Sequence, residues 1–290
     1  MVKLTVSIVN YNAGDYLVKC LDSLAKIKNE TSMEIFVIDN ASKDNSIKNA
    51  KKMFPKIHYI LNKENLGFGK AHNQVLKNLK TEYVLILNPD VELGKGNLTT
   101  SISYMDANPE VGAVTGEILL SDGKVDLTAH RGFPTPWAAF KYYVLKDDSL
   151  YHLSTKNMHQ IHEVDAISGA FFLTRKKILD NIGLFDEDYF MYAEDIDLCY
   201  RIKQAGCKIM YLPSVKILHH KGVSSGLKKH TQGVTTATVE TKQRSLNAFY
   251  STMKIFYQKH MAQKYPTPIN WLVYLGINLK WWLAKRKLTV

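Results

Sequence analysis

The stretch "LTVSIVNYNAGDYLVKCLDSLA", residues 4–25, decides the fold class of this chain. Residues 4–9 alternate in polarity and are rich in β-branched side chains, which predicts a β-strand. A short polar run follows, and Asp15 is then placed to cap an α-helix. The apolar residues of that helix share one face: Leu17, Leu21 and Leu24. A strand that leads through a polar turn into a helix is the first part of a βαβ unit.

The same alternation of strand and helix recurs further along the chain. Apolar runs at residues 34–38, 57–61 and 83–87 predict three more strands. Helical segments follow within "DNASKDNSIKNAKKMF", residues 39–54, and near residues 69–79. Repeated βαβ units of this length predict an α/β domain with a mainly parallel, Rossmann-like sheet and helices on both faces.

Polar clusters follow each of the four predicted strands. They are "NYN" (10–12), "DNAS" (39–42), "NKENLGFGKAHN" (62–73) and "NPD" (88–90). Each cluster by itself is consistent with a turn, because Asn, Asp and Gly are ordinary turn residues. Open α/β sheets bind ligands at the carboxyl ends of their strands, so the four together predict one ligand-binding crevice.

A dinucleotide-binding site is the obvious alternative for such a sheet. Its G-x-G-x-x-G fingerprint has to follow the first strand directly. The turn at that position is "NYNAGD", and the G-x-G at Gly67 and Gly69 comes only after the third strand. The position of the glycines therefore argues against a nicotinamide dehydrogenase.

Composition sets broad limits on the class of protein. With 290 residues, 46% hydrophobic and 22% charged, the chain is expected to be globular. Its three cysteines form no C-x-x-C pair, which favours a reducing cytoplasm over a disulfide framework or a zinc ribbon. The apolar run at the N-terminus is too short for a signal peptide, and we expect no transmembrane helix.

The net charge of +11 is concentrated in the C-terminal segment, residues 226–290. This segment holds eleven Lys and Arg residues against one acid, Glu240, and predicts amphipathic helices such as residues 239–261. "INWLVYLGINLKWWLAKRK", residues 269–287, places Trp beside Lys and Arg, which is typical of a membrane interface. We expect an anionic membrane surface as the partner, with homodimerisation as an alternative. Nucleic acid is disfavoured because the body carries no known nucleic-acid motif.

Six stretches identify a family resemblance when taken together and in order. They are "VSIVNYN", "VIDNASKDNS", "NLGFGKAHN", "LILNPDVEL", "ISGAFFLTRKKILDNIGLFDEDYFMYAEDIDLCYRIKQAG" and "LHHKGVSS". The sequence resembles the family 2 inverting glycosyltransferases of the GT-A fold, in particular the bacterial rhamnosyltransferase-like branch. The resemblance covers most of residues 3–225, and it implies a catalytic GT-A domain over 1–225 followed by the basic helical segment 226–290.

The resemblance implies a set of nucleotide-sugar-binding residues. Asp39 matches the residue that accepts the N3–H of a pyrimidine, and Tyr11 matches an aromatic position beside that base. Glycines of the third cluster are expected to let the backbone approach the nucleotide, and Gly169, with its neighbour, to leave room for the donor sugar. The full set is Tyr11, Asp39, Gly67, Gly69, Lys70, Asn88 and Gly169.

A divalent metal, Mg²⁺ or Mn²⁺, is also implied, to neutralise the pyrophosphate of the donor. "NPD" takes the place of the family's D-x-D motif, so that Asp90 keeps the second carboxylate while Asn88 replaces the first. His219 begins an H-x-x-G-x-S pattern, residues 219–224, whose histidine completes the metal shell in family members. Two histidines without a further His or Cys nearby are poor support for zinc. His220 is expected behind the metal ligands or near the acceptor.

The stretch "FMYAEDIDLCYRIKQAG", residues 190–206, holds three carboxylates within four positions. By the resemblance, Asp195 is the general base that takes the proton of the acceptor hydroxyl, and Glu194 orients the acceptor or the base. Asp197 lies four residues before Arg201, which predicts an exposed helical ion pair.

The function implied is inverting transfer of L-rhamnose from dTDP-rhamnose to a lipid-linked or growing cell-surface polysaccharide. A polyprenyl-diphosphate-linked glycan is the expected acceptor, and the expected location is the cytoplasmic face of the bacterial plasma membrane. His130 and Arg131 are further candidates for acceptor or phosphate contacts. The alternatives are a non-catalytic sugar-nucleotide or glycan-binding homologue, which Asn88 suggests, and a transferase that uses UDP-hexose or galactofuranose donors.

Overall fold

The protein was analysed as a computed structural model that describes residues 2–220 and 239–288. Gly222 and Ser224 of the H-x-x-G-x-S pattern lie outside the described residues. The strands are β1 Leu4–Asn10, β2 Met33–Asp39, β3 His58–Leu61, β4 Tyr83–Leu87, β5 Val91–Leu93, β6 Val111–Leu120, β7 His130–Arg131, β8 His162–Glu163, β9 Ala166–Ile167, β10 Phe171–Arg175 and β11 Lys208–His219. The α-helices are α1 Tyr16–Lys26, α2 Ser46–Met53, α3 Phe68–Leu76, α4 Asn97–Ala107, α5 Pro136–Phe140, α6 Lys176–Ile182, α7 Glu194–Gln204, α8 Val239–His260 and α9 Thr267–Leu288.

The described strands form one nine-stranded sheet and a separate β7–β9 pair. The large sheet has the order β3-β2-β1-β4-β10-β6-β11-β5, with β8 paired to β11. Neighbours from β3 to β4 are parallel, as the sequence predicts. β10 then runs antiparallel to both β4 and β6, while β11 is parallel to β6 and antiparallel to β5. The sheet is therefore mixed, with its parallel half built from the predicted βαβ units.

Alternating side chains of the central strands feed two hydrophobic cores, one on each face of the sheet. On β4, for example, Leu85 and Leu87 join the core that contains α1 and α4. Val84 and Ile86 of the same strand join the core that contains α6, α7 and α8. This alternation explains why apolar residues fill β4 without a break, since both faces of the strand are covered by helices.

The predicted elements match the observed ones to within a few residues. The third helix is the clearest difference, because α3 ends at Leu76 whereas the spacing predicts a helix to residue 79. Asp15 occupies the N-cap position of α1, but its side chain makes no capping hydrogen bond, so the predicted cap is wrong.

The tail helices pack on the body. Phe256, Tyr257 and Met261 are buried in the core beside α7, and α9 returns along α8. In the described residues, none of the helices is both long and apolar enough to span a bilayer.

Candidate active site

The ends of β1 and β2 form the floor of the crevice. Their register pairs Asn10 with Asp39, and the side chains meet there, with Asn10 Nδ2 donating to Asp39 Oδ1 at 2.7 Å. Asp39 is buried and also accepts hydrogen bonds from the hydroxyl and the backbone N–H of Ser42, at 2.6 and 3.1 Å. Its Oδ2 accepts only the second of these, which leaves a lone pair for a ligand N–H.

Asn40 joins the cluster after β2 to the cluster after β3. Its Nδ2 donates to the carbonyl of Gly67 at 2.8 Å, and its Oδ1 accepts from Asn62 Nδ2 at 2.9 Å. The predicted convergence of these strand-end clusters is thus visible as hydrogen bonds between them. The clusters converge because parallel neighbouring strands end at the same edge of the sheet.

Backbone strain is concentrated around the crevice. Asn12 and Ala41, in the loops after β1 and β2, have φ of 51° and 60°. Tyr192 and Ala193, directly before α7, have φ of 73° and 64°. The left-handed region costs an alanine roughly 1–2 kcal/mol, and such conformations persist where surrounding contacts enforce them, often at functional sites.

Packing against other parts of the protein requires glycine at three predicted donor-site positions. A Cβ on Gly67, whose φ is +85°, would lie 2.2 Å from the carbonyl oxygen of Phe190. A Cβ on Gly69 would lie 2.8 Å from Cβ of Phe185, and one on Gly169 would lie 2.6 Å from Cζ of Phe68. These glycines make room for protein atoms, and their expected closeness to the nucleotide or sugar stays a prediction.

Two other predicted donor residues, Lys70 and Asn88, lie near the ends of the same strands. Lys70 is exposed on α3, and its charge contributes to lowering the pKa of Glu187, after the larger effect of the hydrogen bond from Asn73. Asn88 follows β4, and its backbone N–H donates to the carbonyl of Ala170 at 3.2 Å.

Arg244, on the tail helix α8, reaches the crevice and was not expected there. Its Nη2 donates to the hydroxyl of Tyr11 at 3.1 Å, and its guanidinium lies 5.6 Å from the ring centroids of both Tyr11 and Phe190. The family resemblance implies a catalytic domain over residues 1–225, and this contact adds a tail residue beside the predicted donor residue Tyr11. Nothing in the sequence pattern signals the contact, because 233 residues separate the two partners.

Asp90 and His219 are brought together by the antiparallel pairing of β5 with β11. Val91 is opposite His219 in that register, and Asp90 Oδ1 lies 3.2 Å from His219 Nε2. Both residues are largely buried, and His219 Nδ1 has no hydrogen-bond partner in the part of the chain that the structure describes. Burial tends to raise the pKa of Asp90. The charge and the hydrogen bond of His219 outweigh this effect, so the pKa of Asp90 is lowered.

The Asp90–His219 pair fits a divalent cation that is completed by other ligands. Neighbouring ligands of an octahedral Mg²⁺ lie about 3 Å apart, close to the distance observed between the two atoms. Protein sites for Mg²⁺ commonly supply one or two side chains while substrate phosphates and water supply the rest. Among the described residues no group of three or more acidic, His or Cys side chains could hold a metal, so this pair would depend on the donor.

His220 is held away from this pair. Its Nε2 lies 2.7 Å from Glu92 Oε1 and its Nδ1 lies 3.1 Å from Ser121 Oγ. Its backbone N–H donates to the carbonyl of Asp90 at 2.9 Å. His220 thus braces the loop that carries Asp90, and its expected place behind metal ligands stays a prediction.

Glu194 and Asp195 begin α7 and differ in their surroundings. Glu194 is buried, and its Oε2 has no hydrogen-bond partner among residues 2–220 and 239–288. Burial and then the neighbouring charge of Asp195 raise the pKa of Glu194 well above its ordinary value. Burial also raises the pKa of Asp195, but the positive charge of Arg131 and backbone N–H groups oppose that rise. Asp195 is therefore the better site for the negative charge of this pair.

One short segment connects the carboxylates to the strand-end crevice. The backbone N–H of Gly169 donates to Asp195 Oδ2 at 3.4 Å, while the carbonyl of Ala170 accepts from the N–H of Asn88 at 3.2 Å. Antiparallel β10 creates this arrangement, because its first residue pairs with Leu87 at the end of β4. Asp195 and the "NPD" loop therefore flank the same two residues.

Arg131 and His130 face different surroundings, although they are adjacent in sequence. Arg131 donates to the carbonyl of Thr128 at 2.7 Å and its charge acts on Asp195. His130 is buried against the rings of His162 and Tyr211, and burial lowers its pKa to about 4. Arg131 remains a candidate for the acceptor side, whereas burial corrects the expectation that His130 contacts acceptor or phosphate.

Asp197 is not the exposed strut that the sequence predicts. Its side chain is 1% exposed and accepts from Arg201 Nη2 at 2.6 Å and from Arg201 Nε at 2.8 Å. Its other oxygen, Oδ1, lies 2.6 Å from Nε2 of His260 on α8. The i,i+4 pairing is confirmed, but the tail helix covers it and makes it an interior ion-pair network.

The fold and the site together define a class of protein. The mixed sheet places the buried carboxylate Asp39 at the end of β2, and a second carboxylate, Asp195, lies in the first turn of α7. This arrangement is consistent with the GT-A fold and the site that the motifs predict. The sequence profile described as glycosyl transferase family 2 matches residues 5–183. The chain belongs to glycosyl transferase family 2, as its motifs predict.

Relatives point to the rhamnosyltransferase-like branch of that family. The chain is 30% identical over 240 residues to the N-acetylglucosaminyl-diphospho-decaprenol L-rhamnosyltransferase of Mycobacterium tuberculosis (strain CDC 1551 / Oshkosh), covering 77% of this chain and 78% of that protein. It is 28% identical to the rhamnosyltransferase WbbL of Escherichia coli (strain K12), covering 74% of this chain and 82% of WbbL.

A solved structure supports the fold independently. The structure of GalNAc-T7 with UDP, GalNAc and Mn²⁺ superimposes with a TM-score of 0.59 at 15% identity, over 93% of this chain. The chain spans about half, 53%, of the length of that protein. At this identity the likeness establishes the shared GT-A fold.

Proposed function

We propose that this protein transfers L-rhamnose from dTDP-rhamnose, with inversion at the anomeric carbon, to a polyprenyl-diphosphate-linked glycan. The observation that carries the proposal is the segment 169–170, which is hydrogen-bonded to Asp195 on one side and to the "NPD" loop on the other. An attacking hydroxyl beside Asp195 then lies across this segment from the donor phosphates. Both rhamnosyltransferase relatives support the choice of sugar, and the name of the Mycobacterium tuberculosis enzyme supports a lipid-linked acceptor.

Asp195 accepts the proton of the acceptor hydroxyl while that oxygen attacks the anomeric carbon. Inversion needs this base on the face opposite the departing nucleoside diphosphate. Two local features prepare the carboxylate for this role. The N–H of Gly169 fixes the position of Oδ2, and the charge of Arg131 opposes the effect of burial on its pKa.

Glu194 keeps the pair from carrying two negative charges. Burial and the charge of Asp195 raise the pKa of Glu194, and the charge of Arg131 favours the ionised form of Asp195, so Glu194 is the preferred site for a proton held by the pair. A neutral carboxyl at this position can orient an acceptor hydroxyl by hydrogen bonding without competing for its proton.

The donor base would enter between Asp39 and Tyr11. The free lone pair of Asp39 Oδ2 suits the N3–H of thymine or uracil, and the Tyr11 ring can pack against the base. Arg244, bonded to the Tyr11 hydroxyl, adds a positive charge at this end of the crevice. Guanidinium groups bind phosphate oxygens well, so Arg244 is the tail's contribution to donor binding.

Asp90 and His219 would hold a Mg²⁺ or Mn²⁺ ion together with the donor diphosphate. When bound, the ion supplies electrostatic stabilisation of the leaving nucleoside diphosphate. The replacement of the first D-x-D carboxylate by Asn88 removes one negative charge, so tight metal binding should require the donor.

The acceptor side and the location follow from the relatives and the charge of the tail. A polyprenyl-linked acceptor is confined to a membrane surface, and the basic C-terminal segment suits an anionic one. We therefore propose a peripheral position on the inner face of the bacterial plasma membrane, where nucleotide sugars are available.

A donor screen with the purified protein tests the function. dTDP-rhamnose, UDP-glucose, UDP-N-acetylglucosamine and UDP-galactofuranose are each incubated with a synthetic polyprenyl-diphosphate N-acetylglucosamine acceptor, and release of nucleoside diphosphate is measured. We expect release from dTDP-rhamnose, at least tenfold above the other donors, and a glycolipid product of inverted configuration. Preference for a UDP-sugar would contradict the assignment of dTDP-rhamnose as the donor. Binding without release from any donor would favour the non-catalytic homologue that Asn88 suggests.

A further inference from the structure

Helix α9 presents an apolar face that nothing in the described chain covers. Trp271 and Leu272 are 74% and 67% exposed, although large apolar side chains usually lie inside. Besides Ile269, which is 36% exposed near the start of the helix, six exposed apolar residues fall within about one third of its circumference, at spacings of three and four residues. They are Trp271, Leu272, Leu275, Leu279, Trp282 and Leu283.

The opposite face of α9 is also apolar and already has a partner. Val273 and Tyr274 pack on the body and Ile277 is 8% exposed. Trp281 donates its indole N–H to Asn247 Oδ1 of α8 at 3.0 Å. A helix that is apolar on both faces, with only one face packed on its own chain, is expected to bury the other against a second apolar phase.

A second element with exposed apolar residues contacts α9, and it comes from the middle of the sequence. Helix α5 and the π-helical turn Lys141–Leu145 that follows it expose Trp137, Val144 and Leu145, at 57%, 61% and 54%. Lys280 of α9 links the two elements, because its Nζ lies 3.1 Å from the ring centroid of Tyr143 in that turn.

The charged side chains of α9 are all positive. The helix carries Lys280, Lys285, Arg286 and Lys287 and no acidic residue. Arg286 lies 3.7 Å over the ring of Trp282, so cation and aromatic ring share the same side of the helix. Two copies of such a face would bring like charges together, which disfavours a symmetric dimer. An anionic surface of acyl chains and headgroups matches both the apolar residues and the cations.

We propose that α9 and the segment 137–145 form one two-part membrane-binding surface, on which the helix lies parallel to an anionic phospholipid bilayer. Segment 137–145 lies outside the tail. It precedes the basic segment by some eighty residues, yet it belongs to the same surface. The exposure and charge of this surface support membrane binding independently of the proposed transfer reaction. A failed donor screen and a failed vesicle test are therefore independent results.

Intrinsic fluorescence of the full-length wild-type chain provides the first test. All four tryptophans, Trp137, Trp271, Trp281 and Trp282, belong to α9 or to segment 137–145. With vesicles of phosphatidylglycerol and phosphatidylcholine we expect a blue shift of the emission. Bromine-labelled lipids should quench the emission, and the Trp137→Phe variant should lose part of that quenching. No shift with these vesicles at low salt would overturn the proposal.

Co-sedimentation with the same vesicles tests the two parts separately. Val144→Ser/Leu145→Ser removes apolar side chains outside the tail, and vesicle affinity is expected to fall about tenfold. Lys285→Gln/Arg286→Gln/Lys287→Gln should lower it about a hundredfold and weaken its dependence on salt. The matched control is Met53→Ser/Leu61→Ser, which removes two equally exposed apolar side chains from α2 and β3 and should leave binding unchanged.

The outcomes separate the possible occupants of the surface. Equal affinity of wild type for anionic and for pure phosphatidylcholine vesicles would overturn the role of charge. Unchanged binding by the Val144→Ser/Leu145→Ser variant would overturn the two-part surface. If light scattering shows a wild-type dimer that the Trp271→Ser/Leu275→Ser variant abolishes, and vesicles do not bind, the surface is a contact between copies of this chain.

Discussion

Asp197 Oδ1 lies 2.6 Å from His260 Nε2, so the helix that carries the candidate base is bonded to the tail helix α8. The same carboxylate accepts two hydrogen bonds from Arg201, which in turn donates to the carbonyls of Ile182, Gly183 and Leu184. The tail is therefore part of the structure that holds α7 in place. It is not an appendage joined to a finished catalytic domain.

Removing the charge of Asp197 should destabilise the protein strongly. Asp197→Asn leaves Arg201 and His260 around a neutral side chain in an interior position, where breaking one partner of a buried ion pair costs about 3–5 kcal/mol. Urea denaturation measures the loss in free energy of unfolding. The control is Asp22→Asn, which breaks the exposed i,i+4 pair with Lys26 and should not shift the midpoint measurably. Equal effects of the two substitutions would contradict the buried network.

Asp195→Asn should abolish catalysis while sparing donor binding. Asparagine is nearly isosteric but cannot accept the proton, so kcat should fall by roughly 10²–10⁴-fold, as is typical of a lost general base. The dissociation constant of the donor, measured by calorimetry, should change less than about twofold because Asp195 faces the acceptor side. A variant that stays active, or that loses donor affinity in parallel with rate, would show that the base is another group.

Glu194 should make the protein less stable as the pH rises. Its folded-state pKa is raised above the ordinary value of 4.5, so the stability it contributes is fully present below about pH 4.5. That contribution is lost as the pH rises through the raised pKa, because the unfolded state then releases the proton more readily than the folded state. The Glu194→Gln variant cannot release this proton. The difference in free energy of unfolding, wild type minus variant, should therefore decrease between pH 5 and pH 9, and a constant difference would contradict the raised pKa.

Arg244→Ala should weaken donor binding although Arg244 lies in the tail. Loss of the hydrogen bond to Tyr11 and of the positive charge should raise the KM for the donor about tenfold, with a smaller change in kcat. Arg286→Ala is the matched control, since that arginine also packs on an aromatic ring, Trp282, but on α9. An unchanged donor KM for Arg244→Ala would show that the tail does not contribute to donor binding through Arg244.

Chelation should abolish transfer, and Mg²⁺ or Mn²⁺ should restore it. Mn²⁺ binding can be followed directly by electron paramagnetic resonance, with a nucleoside diphosphate present because the protein supplies few ligands. Asp90→Asn and His219→Ala should each weaken Mn²⁺ binding at least about tenfold. His220→Gln should not, because His220 is bonded to Glu92 and Ser121. Full turnover in the presence of chelator would remove the metal from the mechanism.

Local sequence patterns determined the parallel half of the sheet and the place of the crevice. Strand period, helix period and the polar residues at strand ends are short-range properties, and they predicted β1 to β4 and the meeting of Asp39 with its neighbours. The ordered motifs predicted family 2 and the GT-A fold. The carboxylates at the start of α7 were also found in this way, because an acidic run before an apolar-periodic helix is visible in the chain itself.

Which distant residues share an environment depends on how the elements pack in three dimensions. Asp197 matches an exposed i,i+4 pair in sequence, and it is buried because His260 packs over it from α8. Arg244 meets Tyr11 because the tail helix packs across the body. Segment 137–145 joins α9 for the same reason. Burial, pairing and surface exposure depend on packing between elements far apart in the chain, and no pattern within one element encodes what will cover it.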